Sequence, residues 1–316
     1  MDESRLSEFA LLAKILHRQE SPDLILPNGD DAAVIKIGRS LVAITTDAVV
    51  ENKHFSFSYF SGRQVGIKSV ESAVSDLIAV GAVPKGIVIA LSISELTETV
   101  LIEEVYKGIY AASERLGCQV LGGDLTVNSG GLEVAVTALG HIEKKRDIIT
   151  RSGAKAGDLV CVTGALGGSM AGFRAIRAGL AGFKATRLKH LQPLCRFDLC
   201  GKLKGVHAAI DISDGLSSEI NHICQASHCG AMITSSDIPI TPEVRQIAAT
   251  LNENPLDYAL NGGEDYELLL AVAPKRYNDL MGSVIGVFTE SPEILIEIDN
   301  QQRTLQPRGY DHLVKG

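Results

Sequence analysis

The sequence predicts a two-domain α/β (α+β) fold. Residues 1–146 form an N-terminal β-sheet with covering helices that dimerises, and residues 147–316 a C-terminal α/β domain. Three observations predict it. A chain of 316 residues exceeds what a single core usually organises. Short, nearly continuous apolar runs alternate with apolar stripes at helical spacing. The segment Glu143-Lys144-Lys145-Arg146-Asp147 is the most charged connector and marks the boundary.

In chain order, residues 4–17 read as an amphipathic helix and residues 32–37 and 41–45 as strands. Residues 64–80 carry Val65, Val70, Val74, Leu77 and Ile78 on one helical stripe, stopped by Gly81 and Pro84. Residues 86–93 read as a buried strand, 98–116 as a second amphipathic helix, and 118–121 and 132–140 as further strands. In the second half, 158–162, 207–210, 267–272 and 284–288 read as strands with helices between them, one over 216–227. No internal repeat or low-complexity segment is evident. The runs 86–93 and 132–139 are apolar at both alternating sets of positions, so both faces need cover. The two helices cover one face. A second copy, sheet against sheet, covers the other, which predicts a homodimer through the N-terminal domain.

The composition is globular, at 45% hydrophobic and 22% charged residues. A net charge of -8 argues against a nucleic-acid partner. The first residues are acidic and amphipathic rather than a signal peptide, and no apolar run reaches membrane-spanning length. No pair of the six cysteines has C-x-x-C spacing, which argues against zinc and for a cytoplasmic protein with reduced thiols.

Six short acidic clusters stand where apolar runs stop: Asn28-Gly29-Asp30-Asp31, Thr45-Thr46-Asp47, Ser75-Asp76, Gly122-Gly123-Asp124, Asp211-Ile212-Ser213-Asp214-Gly215 and Gly262-Gly263-Glu264-Asp265. If their carboxylates share a cleft they repel, by roughly 4 kcal/mol for a pair about 4 Å apart at an effective dielectric near 20. Bound cations relieve this, and oxygen-only ligands select hard ions, magnesium above all. Magnesium on carboxylates keeps places for substrate phosphates, so the pattern points to phosphoryl chemistry on a nucleotide. Each cluster also has a plainer reading. Thr46-Asp47 at a strand end and Gly122-Gly123-Asp124 could be turns. Asp76, near a helix C-terminus, needs a cation partner, either a metal or Lys68. Ser213 or Asp214 could cap a helix, though capping needs only one of them. The Gly164-Ala165-Leu166-Gly167-Gly168-Ser169 turn is no Walker A loop and reads as tight packing rather than phosphate binding. Arg151 is either a solvated linker charge or an interdomain phosphate ligand, and His54 alone reads as loop surface.

Taken in order, the motifs resemble the thiamine-monophosphate kinases of the aminoimidazole-ribonucleotide synthetase superfamily. They are GDDAAV at 29–34, TTD at 45–47, HF at 54–55, SDL at 75–77, GGD at 122–124, RSGAK at 151–155, VTGALGGSMAG at 162–172, DISDGL at 211–216, GGEDYELL at 262–269 and RGYDH at 308–312. The resemblance spans nearly the whole chain and implies a synthetase-like two-domain fold that dimerises through its N-terminal domain. It implies γ-phosphoryl transfer from ATP to thiamine monophosphate with several magnesium ions. It carries magnesium binding onto Asp30, Thr45, Thr46, Asp47, Asp76, Asp124, Asp211 and Asp214, with Asp47, Asp124 and Asp211 the catalytic core. Tyr106, Gly123, Asp124, Arg151 and Ser213 would contact ATP, and His54, Glu264 and Tyr310 the thiamine substrate. Two other readings differ in class or substrate: a superfamily kinase with another phosphorylated acceptor, and a non-catalytic nucleotide-binding regulator. An intact acidic set argues against the regulator, while Asn52-Lys53, where the family usually has Gly and a small apolar residue, bears on acceptor choice.

Overall fold

A computed structural model describes residues 8–17, 20–310 and 313. Helix α1 (Glu8–Ile15) is followed by β1 (Leu24–Leu26), β2 (Ala33–Ile37), β3 (Ser40–Val50), α2 (Gly62–Ala79), β4 (Val83–Ser94), α3 (Thr99–Arg115), β5 (Gln119–Asn128) and β6 (Glu133–Ile142). The second half runs β7 (Leu159–Val162), α4 (Gly168–Arg177), α5 (Lys184–Leu191), β8 (Val206–Asp211), α6 (Leu216–Ser227), β9 (Gly230–Thr234), α7 (Pro242–Leu251), α8 (Pro255–Asn261), β10 (Leu268–Val272), β11 (Ser283–Thr289), β12 (Ile294–Ile298) and β13 (Gln301–Thr304). Of the helix expected over 4–17, residues 4–7 lie outside the described residues.

The first sheet has the order β1-β2-β3-β6-β4-β5 and the second β13-β12-β9-β11-β7-β10-β8. Two strands run further than their sequence pattern suggests. β3 continues to Val50 because β6 pairs with it as far as Glu133, so Asp47 lies inside a strand, not at its end. Gly122, Gly123 and Asp124 likewise lie within β5, held as parallel partners of β4 with Asp124 opposite Ala90. Strands β1, β9, β12 and β13 add to those the sequence pattern predicts; the last is exposed along its length.

Helix α2 organises the molecule. Ser61 opens it with a capping box to Gln64. A Cβ on Gly66 would sit 2.0 Å from Val105 O, and one on Gly108 2.0 Å from Arg63 O. Glycine at both positions lets α2 and α3 meet backbone to backbone. One side of α2 packs on β3, β6 and β4, another on α3, and a third reaches β8 and α5 of the second half. Enclosure on all sides explains why Lys68, Glu71, Ser72 and Ser75 are buried along with Val70, Val74 and Leu77. Glu71 is paired where it is buried, accepting from Arg115 Nε at 2.7 Å and Cys195 N at 3.0 Å. One apolar cluster joins Ile87, Ile89 and Val136 of the first sheet to Cys161, Leu268 and Leu270 of the second. This shared core fixes the two halves on either side of a cleft.

The first sheet is asymmetric. Ile87, Ile89, Leu91, Val134 and Val136 face the helices and are buried. On the opposite face Val88 is 39% exposed, and Ala135, Thr137 and Leu139 are half-buried. No helix long and apolar enough to cross a membrane occurs among the described residues.

Candidate functional site

The cleft between the halves has a volume of about 620 Å³. Its inner end is acidic. Asp76 stands in the last turn of α2 and accepts from Thr45 Oγ1 on β3 at 2.6 Å. Asp211 ends β8, and Asp31 arrives from the loop before β2. Carboxylate oxygens of Asp31, Asp76 and Asp211 lie within 4.8 Å of one another. Burial pushes all three carboxyls up, and neighbouring carboxylates add to it, Asp30 at Asp31 and the cluster's own members at the other two: Asp76 rises well above its ordinary value and Asp211 to about 8. The cation here is Arg151, which donates to Asp31 Oδ1 from Nε at 3.0 Å and Nη2 at 2.5 Å, while its backbone N donates to Asp30 Oδ1 at 2.5 Å. Arg151 is therefore an interdomain clamp rather than a solvated linker charge. Oδ2 of both Asp31 and Asp211 is buried with no hydrogen-bond partner among the described residues. An oxygen-only set with two orphaned acceptors fits a hard divalent cation.

Asp47 shares the helix-facing row of the sheet with Val136 and lines the same cleft, its Oδ1 accepting from Ala48 N at 2.8 Å. Thr46 projects its hydroxyl to the other face, where Thr137 Oγ1 lies 3.3 Å away. Ser213 and Asp214 line the cleft at the start of α6. The Asp214 N–H donates to buried Glu219 at 2.9 Å.

The outer end is built around Glu264. Glu264 and Tyr266 both adopt positive φ, 65° and 50°. Glu264 N donates to Ser213 O and Tyr266 N to Ile212 O, at 2.7 and 3.0 Å, which holds this unfavourable backbone in place. A Cβ on Gly263 would lie 2.3 Å from Ser213 O, so glycine is needed for the two loops to touch. Fully buried Lys68 meets Glu264 Oε1 at 2.5 Å and donates to His54 O at 3.0 Å. Lys68 is thus the partner of Glu264, not of Asp76. Burial would raise the Glu264 carboxyl, but Lys68 and His190 outweigh it and lower it to about 2. His190 Nδ1 lies 3.5 Å from Glu264 Oε2, and burial lowers its own pKa. Tyr59, Phe60 and Phe173 surround the His190 ring. His54 accepts from Val50 N at Nδ1, and Tyr310, 47% exposed, closes the rim.

Two amides of the Gly-rich turn are already engaged: Asp265 accepts from Gly167 N at 2.6 Å and Ser169 N at 3.0 Å. This is the packing role expected of that turn.

Tyr106, Gly123 and Asp124 do not line the cleft. Asp124 is on the edge strand, three strands from β3, or about 14 Å at the usual spacing. Its row mates Ala90 and Ala135 belong to the face away from the helices, whereas Asp47 faces them. One chain therefore does not bring Asp124 onto a cation shared with Asp47. The resemblance carries magnesium binding onto Asp30, whereas Asp31, its neighbour in the same motif, closes the cluster. The motifs passed over Tyr59, Phe173, His190 and Glu219, and the sequence offered Lys68 to Asp76 rather than to Glu264. Lys68 left a trace, a lysine two residues before Val70 on an apolar stripe. His190 left none.

Comparison with known proteins places this geometry in context. Residues 29–142 match the family described as AIR synthase related protein, N-terminal domain, and residues 155–296 its C-terminal domain. A thiamine-monophosphate kinase of Aquifex aeolicus (strain VF5) is 33% identical over 313 residues, covering 97% of this chain and 98% of that protein. One from Rhodopirellula baltica is 34% identical, covering 82% and 79%. A solved structure of AaThiL complexed with AMPPCP and TMP is 32% identical and superposes with a TM-score of 0.87 over 99% of this chain and all of that one. Hydrogenase maturation protein HypE, 19% identical with a TM-score of 0.72, shares the fold.

Proposed function

The chain belongs to the AIR synthase-related family, among its thiamine-monophosphate kinases, and from that membership we propose that it moves the γ-phosphoryl of ATP to thiamine monophosphate with magnesium in the interdomain cleft. It is an ATP-dependent kinase with a phosphate-bearing acceptor. The observation that carries the metal assignment is the convergence of Asp31, Asp76 and Asp211 with two orphaned buried oxygens. Asp30, Thr45, Thr46, Asp47, Asp76, Asp124, Asp211 and Asp214 would hold magnesium, with Asp31 beside them. Bound magnesium neutralises the phosphate charge.

Ser213 orients the nucleotide from the cleft wall, with Arg151, Tyr106 and Gly123 as further contacts. His54, Glu264 and Tyr310 hold the acceptor. Its phosphate, with a second pKa of about 6, is largely dianionic at pH 7, so no strong general base is required. The chain's own contribution is then to align donor and acceptor phosphates in line and to keep them there. Asp47, Asp124 and Asp211 act at the reacting phosphates.

The same proposal includes a homodimer through the N-terminal domain, residues 1–146. The half-open face of the first sheet supports it, since Val88 and Leu121 there are exposed apolar residues. Asp124 and Thr46 share that face, so a two-fold sheet-to-sheet pairing would bring Asp124 against the partner's sheet. Ile89 and Val136 point into the chain's own core and are not the residues to probe; Val88 is. Six free thiols are consistent with a cytoplasmic setting. An acceptor series tests the function. Thiamine monophosphate should be phosphorylated, while thiamine and other phosphate monoesters should not. Efficient use of a different monoester, with thiamine monophosphate inert, rejects it.

A further inference from the structure

The outer end of the cleft carries a recognition element that the motifs do not include, and it rests on the acceptor reading above. Glu264 looks like the natural counter-ion for a cationic ring, but its charge is already matched. Lys68 sits 2.5 Å away and fully buried. Burial holds His190 below its ordinary pKa, which disfavours its charged form. The Lys68–Glu264–His190 group is therefore close to electrically balanced. What it does is hold the His190 ring. Against that ring lean Tyr59 at 6.1 Å, stacked, and Phe173 at 5.3 Å, tilted. Tyr59 and Phe173 are 6.5 Å apart with planes at 53°, so they meet as a corner rather than a sandwich. Both are half-buried, and both line the cleft. They come from opposite halves: Tyr59 from the loop before α2, Phe173 from α4. An aromatic face is electron-rich and attracts a cation most strongly where water is excluded.

We propose that Tyr59 and Phe173 form an aromatic corner that recognises the positively charged heterocycle of the acceptor, with His190 and Glu264 as the residues that position it. Glu264 remains a hydrogen-bond acceptor for the acceptor's amino group, not its counter-ion. Because the two rings belong to different halves, the corner exists only when the halves are docked as they are here, which couples acceptor recognition to the cleft that holds the nucleotide.

The test is calorimetric binding of thiamine monophosphate and of its uncharged thiophene-ring analogue, with a non-hydrolysable ATP analogue and magnesium present. The wild type should bind the cation about 10-fold or more tightly than the neutral analogue, as expected for desolvated cation–π contacts. Tyr59→Leu and Phe173→Leu should each cut that ratio several-fold while leaving affinity for the nucleotide analogue unchanged. Pentafluorophenylalanine at 173 keeps the ring's shape and reverses its face potential. It should lose the ratio too, which separates charge recognition from packing if a Leu variant folds poorly. Glu264→Gln should weaken both ligands alike and keep the ratio. Retention of the ratio by the fluorinated protein, or its loss in Glu264→Gln alone, overturns the aromatic assignment while leaving the kinase reading intact. Failure of the wild type to bind either ligand overturns both.

Discussion

Replacing Lys68 with Met probes how the acceptor end is held together. Lys68 is fully buried in α2, 2.5 Å from Glu264, and Met fills nearly the same volume without the charge. The Glu264 carboxyl is held at about 2, against an ordinary 4.5, mainly because Lys68 outweighs the cost of burial. That gap corresponds to about 3 kcal/mol at 1.36 kcal/mol per pH unit. It agrees with the roughly 3–5 kcal/mol lost when one partner of a buried pair is removed. Because the folded carboxyl is depressed, the contribution is fully present above pH 4.5 and fades as pH falls toward 2. At pH 7 the variant should therefore be destabilised by about 3 kcal/mol, and its melting temperature should drop by roughly 6–12 °C for a chain of this size. Glu264→Gln in the Lys68→Met background should recover most of the loss, since no unpaired charge is left. Scanning calorimetry of the two single variants and the double variant gives the coupling directly. A Lys68→Met protein that melts within 2 °C of the wild type, or a double variant no better than the single one, refutes the pairing as the organising contact.

Other outcomes follow from the same structure. Asp47→Asn or Asp124→Asn should reduce turnover by orders of magnitude. In the metal-free state Asp47→Asn should melt at or above the wild-type temperature, because removing its charge relieves repulsion on Asp76 and Asp211; a large drop with activity retained would mark a structural role. The Asp211 carboxyl is raised to about 8 by burial and by Asp31, so its stabilising share is complete below pH 3.8 and is lost as pH rises through 8. Metal-free protein should thus be less stable at pH 8 than at pH 6, and magnesium should remove the difference, as thermal melts in chelator and in magnesium will show. Tyr310→Ala should raise KM for thiamine monophosphate much more than KM for ATP; equal effects in steady-state kinetics would remove Tyr310 from the acceptor site. Light scattering should give twice the 33.6 kDa chain mass, and Val88→Asp should give monomer or aggregate; an active wild-type monomer at micromolar concentration would reject the dimer.

Local signals made the strands and helices legible where they were strong. The stripe from Val65 to Ile78 marks α2, and the run ending at Asp211 marks β8. β13 escaped because its residues are exposed, so no apolar period distinguishes it. Most cleft carboxylates were legible for a different reason. Acids at the ends of apolar runs have few structural uses, and Asp47, Asp76, Asp211 and Asp214 all line the cleft. What the sequence could not carry was direction. Thr45 and Thr46 are adjacent, yet strand alternation sends one hydroxyl to Asp76 and the other to Thr137. Asp30 and Asp31 divide in the same way, one accepting from the Arg151 amide and the other from its guanidinium. Tyr59 lies far from Phe173 and His190 in the chain, so only the docking of the two halves brings it to them.

Phosphorus NMR of the wild-type protein with ATP, thiamine monophosphate and stepwise additions of magnesium tests the central claim most directly. Thiamine diphosphate and ADP should appear in equal amounts, with no transfer in chelator and a rate that saturates with the metal. Release of AMP, transfer without a divalent cation, or no product at saturating substrates would contradict it.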